Sequence, residues 1–227
     1  MKIVFACCDP IYLKEHGEAF AKSAIKNGET PWIHILCDEE TKQEILNQNS
    51  FDWHIGCHFS FSDIEPKDRM MYACSRFIVA SDIIRQDNVS EMLIVDIDGF
   101  LRKPIDWDDF KNCDYSIFTR DPLPGTVGWE NEGTHVAAGA MYLRKSGYSF
   151  IDTVAHNLME NIKKHGCIWF MDQVILWKVH QNIKDLKFVQ MPSKYIDWEF
   201  NEDSIIWTGK GNRKNQKNYL EERKSAS

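Results

Sequence analysis

The chain lacks the features that most readily assign a protein of this size. No G-x-G-x-x-G follows its first apolar run, and Gly209-Lys210 has neither the upstream glycine nor the following Ser/Thr of a phosphate-cradling P-loop. A nucleotide, if bound, would be held by side chains and a cation rather than by loop amides. No apolar stretch approaches the roughly 20 residues of a membrane span. Asp9 and Pro10 interrupt the first apolar run too early for a secretory signal core, so the expectation is a cytoplasmic protein. Excess positive charge is missing as well: 27 Lys and Arg against 34 Asp and Glu leave a net charge of -7, which argues against nonspecific binding to nucleic acid or an anionic membrane. The 7 cysteines include no C-x-x-C pair and mostly lie in apolar stretches, so they read as reduced core thiols. His54, Cys57 and His58 resemble part of a zinc site, but no second ligand cluster accompanies them. There is no internal repeat, low-complexity tract or linker, and 227 residues at 43% hydrophobic content suit one domain, 1–227.

What is present is an alternation of strand and helix signals. Lys2 to Cys8 predicts a first buried strand, and Leu13 to Asn27 a helix closed by Gly28. Pro31 to Cys37 predicts a second strand, followed by a short helix with Asp38 as N-cap. Phe51 to Phe59 reads as a third strand. Pro66 opens a longer helix with an apolar stripe of Met70, Ala73, Phe77, Ala80 and Ile84. This β-α-β-α-β-α-β series predicts an α/β fold, a parallel sheet with helices on its faces. Later strands are expected at Tyr115–Phe118, Ala137–Leu143, Phe188–Val189 and Ile205–Trp207, and helices at Tyr148–Lys164 and Asp172–Val179. The stretch from Asp121 to Gly133 reads as a loop, and the tail from Lys210 as polar.

The chemistry centres on Glu91 to Asp98, where an apolar run ends in Asp96-Ile97-Asp98. Ligands of parallel sheets bind beyond the carboxyl ends of the strands. Strand alternation turns Asp96 and Asp98 to the same side, with Ile97 turned the other way, so the two acids repel unless a cation lies between them. Hard oxygen ligands suit Mg²⁺ or Mn²⁺. Asp9 and Tyr12 follow the first strand, one able to accept from a base or ribose and the other to stack on a base. Arg76 falls at the edge of its helix's apolar stripe, within reach of a site carboxylate or a phosphate.

In order along the chain, Cys8-Asp9-Pro10-Ile11-Tyr12, Tyr72-Ala73-Cys74-Ser75-Arg76-Phe77, Leu93-Ile94-Val95-Asp96-Ile97-Asp98, Ala138-Gly139-Ala140-Met141-Tyr142-Leu143 and Phe170-Met171-Asp172-Gln173 resemble nucleotide-sugar glycosyltransferases of the GT-A fold. The nearest pattern is the glycogenin and lipopolysaccharide galactosyltransferase group. The resemblance implies a Rossmann-like, mainly parallel sheet with helices on both faces. It also implies a donor that is a nucleotide-sugar, a UDP-sugar by preference, and an acceptor of unspecified kind. Asp9 and Tyr12 would hold the base, Asp96 and Asp98 a divalent metal on the donor diphosphate, and Asp172 and Gln173 would lie by the transferred sugar. Residues 1–98 would form the nucleotide-binding half, 99–209 the acceptor and sugar half, and 210–227 a basic segment.

Two positions depart from that pattern. Ile206-Trp207-Thr208-Gly209 has Ile206 where the family places a metal-binding histidine, and Ala137-Ala138-Gly139 replaces Asn-x-Gly. Lys210, with Arg213 or Lys214, is expected to neutralise the diphosphate in partial compensation. Asp96-Ile97-Asp98-Gly99 also resembles the first motif of haloacid-dehalogenase-type phosphatases, with Asp96 as nucleophile and Thr119 in the second motif. The departures allow a third reading, a catalytically inactive sugar-nucleotide-binding protein.

Overall fold

Glu91–Val95 is the strand on which the molecule is built, and in the computed structural model Met92, Leu93, Ile94 and Val95 are fully buried. Burying each such side chain stabilises by about 1.5–3 kcal/mol relative to exposure. Carboxylates bracket the run: Glu91 accepts from the Tyr142 hydroxyl at 2.7 Å and faces Lys2 at 3.3 Å, and Asp96 follows the other end. A one-residue slip would drag one of these acids into the apolar layer, so the register is fixed from both ends.

The structure describes residues 1–47, 55–63 and 69–226. Strands run at Lys2–Cys8 (β1), Pro31–Cys37 (β2), His58–Asp63 (β3), Glu91–Val95 (β4), Phe100–Leu101 (β5), Tyr115–Thr119 (β6), Val136–Arg144 (β7), Phe188–Gln190 (β8) and Ile206–Trp207 (β9). Helices are Pro10–Tyr12 (α1), which continues through a wider turn at Leu13–Gly17 into Glu18–Lys26 (α2), then Glu39–Asn47 (α3) and Arg69–Ile84 (α4). Gly128–Thr134 (α5), Tyr148–His165 (α6), Met171–Asn182 (α7) and Lys217–Ala226 (α8) complete the set. Seven strands form one sheet in the order β3-β2-β1-β4-β7-β6-β8. All neighbours are parallel except β7, which runs against both β4 and β6. Two apolar layers cover the sheet: α4, α6 and α7 pack on Ile3, Phe5 and Ile94, and α2 with the segment around Phe110 packs on Val4, Ala6 and Val95.

Several elements differ from expectation. The third strand lies at His58–Asp63, later than Phe51–Phe59, and residues 51–54 of the expected strand are outside the described residues. Ser60 and Ser62 fix it, because their hydroxyls meet the His34 ring nitrogens at 2.8 and 3.0 Å. The expected helix start at Pro66 is likewise outside the described residues. The stretch from Asp121 to Gly133 contains α5, where a loop was expected. The polar tail is also ordered as helix. Tyr219 on α8 is fully buried against Phe100, Phe200 and Trp207, capping the small β5-β9 sheet.

Candidate functional site

All six parallel strands of the large sheet end at one edge, and a cavity of about 490 Å³ opens there. Its walls carry Tyr12 from beyond β1, Arg76 from α4, Asp96 and Asp98 from beyond β4, Ala137 to Gly139 from β7, Asp172 and Gln173 from α7, and Lys210 and Lys214 from the C-terminal region.

The two central acids are not on the strand. β4 ends at Val95, and Asp96 to Gly99 form a turn closed by a bond from Gly99 N to Asp96 O at 2.8 Å. Strand alternation therefore does not account for their shared cavity; the turn does. Asp96 pairs with Arg76 Nη1, and Arg76 Nη2 reaches Asp172 Oδ2 at 3.0 Å. Arg76 is 5% exposed and Asp172 3%, so this guanidinium bridges one half-exposed and one buried carboxylate. Burial raises the Asp172 pKa, and the Arg76 charge pulls it back down. Asp98 is held differently. Its Oδ1 is buried and accepts no hydrogen bond, and burial raises its pKa against the opposing pull of Lys214 and Arg76.

The chemistry of this pair fits a hard divalent cation. A buried carboxylate oxygen without a partner is costly, and a cation is one group that satisfies it. Glycines keep the neighbourhood open: a Cβ on Gly139 would lie 3.1 Å from Asp96 Oδ2, and one on Gly209 would lie 3.2 Å from Asp98 Oδ2. Ile206 is fully buried in β9, and no cluster of three His, Cys, Asp or Glu able to hold a metal occurs among the described residues. A cation here would draw its remaining ligands from substrate oxygens and water.

The other expected residues are placed as follows. Asp9 caps α1, its Oδ1 accepting from Tyr12 N at 2.7 Å, and it does not line the cavity. The Tyr12 ring does, lying 5.4 Å from Tyr72 with the Lys214 ammonium 5.3 Å above it. The Gln173 side-chain amide lies 2.5 Å from the Val136 carbonyl and 3.3 Å from the Gly133 carbonyl, and because both are acceptors its nitrogen is assigned to that side, tying α7 to the start of β7. The three tail cations separate. Lys214 joins Tyr12, Lys210 lies 4.2 Å over the Trp198 ring, and Arg213 pairs with Glu199 at 2.8 Å outside the cavity lining. Thr119 gives its hydroxyl to Gln190 at 2.6 Å rather than to Asp96. Cys57 donates to the His58 carbonyl at 3.5 Å and His58 stacks on Trp32, while His54 lies outside the described residues.

Sequence reasoning missed Arg120, Trp169 and Trp198, all of which line the cavity. The adjacent aromatics Trp169-Phe170 before Asp172 were the available signal for one of them; Phe170 holds φ of 66° and caps α7. Nothing in their spacing announces that Arg120 and Trp198 meet.

A mainly parallel sheet with one reversed strand beside its site-bearing strand, covered by helices on both faces, is the GT-A fold of nucleotide-sugar glycosyltransferases. Solved structures that share it include the galactosyltransferase LgtC in complex with donor and acceptor sugar analogues. It is 16% identical over 86% of this chain and 74% of its own, with a TM-score of 0.53. The glycosyltransferase GlyE of Streptococcus pneumoniae TIGR4 matches at 16% identity over 86% of this chain and 46% of its own, TM-score 0.53. Mouse xyloside xylosyltransferase 1 in its apo form matches at 13% over 94% and 99%, TM-score 0.53. Likeness at these identities is one of fold. No protein-family model matches the sequence, and no curated protein matches it.

Proposed function

We propose that this chain is a metal-assisted glycosyltransferase that moves a sugar from a nucleoside-diphosphate sugar, most simply a UDP-sugar, to an acceptor. The observation that carries the reading is the order of groups along one sheet edge. An aromatic ring follows β1, a carboxylate turn follows β4, and a buried Arg–Asp pair lies behind that turn. This order suits a base, a diphosphate and a sugar laid side by side.

In this reading the Tyr12 ring stacks on the base, and Asp9 positions that ring by capping α1 through Tyr12 N. Asp96 and Asp98 would hold Mn²⁺ or Mg²⁺, which when bound supplies Lewis-acid neutralisation of the leaving diphosphate. Arg76 and Lys214 place two further positive charges beside those acids. Arg76 also orients Asp172 and opposes the burial that raises its pKa, favouring at the sugar position the charged form that can stabilise developing positive charge. Gln173 braces α7 against the start of β7 through its side-chain amide.

Calorimetry with uridine diphosphate, with and without Mn²⁺, tests the reading together with turnover of a UDP-sugar panel. The expected result is metal-dependent binding and donor hydrolysis, both lost in Asp98→Asn. Binding without any turnover would favour the inactive-protein reading. Hydrolysis of a simple phosphate ester with an aspartyl-phosphate on Asp96 would replace the proposal by the phosphatase reading.

A further inference from the structure

The sheet order separates the cavity into a near and a far part. Along the edge, β1, β4, β7 and β6 follow one another, so the exits of β1 and β6 are three strand spacings apart, roughly 14 Å. Tyr12 marks the β1 end and Asp96 the next strand. Arg120 directly follows Thr119 at the β6 end, with its N–H bonded to His135 O at 2.9 Å. A donor laid from Tyr12 across Asp96 places its sugar near β7, and the groups beyond β6 then face whatever receives that sugar.

Those far groups have a distinct chemistry. Arg120 lies with its guanidinium 5.6 Å from the Trp198 ring, and Lys210 lies 4.2 Å from the same ring. Arg120 Nε donates to Thr134 O at 2.9 Å, which fixes the arm and leaves its terminal nitrogens without a carboxylate. Neither cation has an acidic partner among the described residues. Trp198 and Trp169 both line the cavity, and Trp169 is 68% exposed. Two cations against one indole repel each other, and an anion between them relieves that repulsion while a ring covers the indole.

We infer that Arg120, Lys210 and Trp198 form an acceptor subsite selecting a carbohydrate that bears an anionic group, a phosphate or a carboxylate. The inference rests on the glycosyltransferase reading, and it assigns Lys210 to the acceptor rather than to the donor diphosphate. Partial desolvation of the ammonium, then repulsion from Arg120 and Arg213, brings the Lys210 pKa down to about 8, although the residue as a whole is exposed. Arg120 is lowered in the same sense by burial.

The test compares methyl glucoside, glucose 6-phosphate and methyl glucuronide as acceptors and as ligands. Wild type should prefer one or both charged sugars by roughly ten-fold or more in kcat/KM, since each charge-assisted contact is strong. Preference for the 6-phosphate alone identifies a phosphate reader, and preference for both identifies a general anion reader. Arg120→Gln should abolish most of that preference. Because Arg120 also braces Thr134, Lys210→Gln on the exposed side serves as the second variant and should reduce the preference too. Equal use of neutral and charged sugars by wild type, or a preference unmoved by both variants, overturns the subsite. A preference for UDP-glucuronate over UDP-glucose that disappears in Arg120→Gln also overturns it, because the cations then read the donor. If no sugar is transferred at all, calorimetry with glucose 6-phosphate in the presence of uridine diphosphate still decides. Absence of binding overturns the subsite, whereas binding lost in both variants supports it and places the failure in the transferase reading.

Discussion

Replacing Arg76 by methionine keeps most of its volume and removes the charge that joins Asp96 to Asp172. Asp172 would be left almost fully buried without its 3.0 Å partner. Breaking a buried pair from one side typically costs about 3–5 kcal/mol, a large share of the roughly 5–15 kcal/mol that holds a domain folded. The protein has one escape, which is to protonate Asp172. Burial already raises that pKa and Arg76 opposes the rise, so the variant raises it further. A carboxyl whose folded pKa exceeds its unfolded value stabilises the fold below the ordinary carboxylate pKa. That contribution is lost as pH rises through the folded value. The deficit of Arg76→Met should therefore be modest near the acid end and grow toward neutral pH. Urea unfolding of wild type, Arg76→Met, Asp172→Asn and the double variant at about pH 5 and about pH 8 measures it. In the double variant most of the loss should vanish, because the stranded charge is gone. A deficit below about 1 kcal/mol at the higher pH, or one equal in the Asp172→Asn background, refutes the reasoning.

Asp98→Asn should leave the fold as stable or slightly more stable, since it removes a buried charge whose Oδ1 lacks a partner, while Mn²⁺ and donor binding are lost; thermal melts and metal titration check both. In wild type, Mn²⁺ affinity should fall as pH drops through the raised Asp98 pKa, because proton and cation compete for one carboxylate. Tyr12→Ala should weaken uridine diphosphate binding roughly ten-fold or more, as loss of about 1–3 kcal/mol of stacking requires, and unchanged calorimetry removes Tyr12 from the base site. Tyr219→Ala should cost about 3–5 kcal/mol by emptying the cluster with Phe100, Phe200 and Trp207, with Leu220→Ala, 40% exposed, as the near-neutral control in denaturant unfolding.

Much of the sheet was readable because its strands are apolar on both faces and end on acids. Lys2–Cys8 and Pro31–Cys37 match expectation residue for residue, and Asp38 caps α3 through Thr41 N at 2.7 Å. What escaped is non-local. Two-residue strands such as β5 and β9 have no period of their own and exist only through pairing across the chain. The tail looked solvated since a single tyrosine supplies most of its buried surface. At the site, the Asp96 strand exit and the Arg76 helix position could be located. The turn that holds Asp98, and the meeting of Arg120 with Trp198, depend on β7 being inserted between β4 and β6. No local pattern encodes that insertion.

The Tyr219 hydroxyl bonds to the backbone carbonyl of Asp98, across 121 residues of sequence. At a synthesis rate of about 5–20 residues per second, Asp98 leaves the ribosomal peptidyl-transferase centre roughly 6–24 s ahead of its partner. The seven-stranded sheet has all its strands once Gln190 is made. Phe100 and the Asp98 carbonyl are covered only once α8 has been made. The nascent chain thus holds a nearly complete scaffold with an unfinished pocket. The synthesis of α8 therefore decides when the turn beneath that pocket is braced.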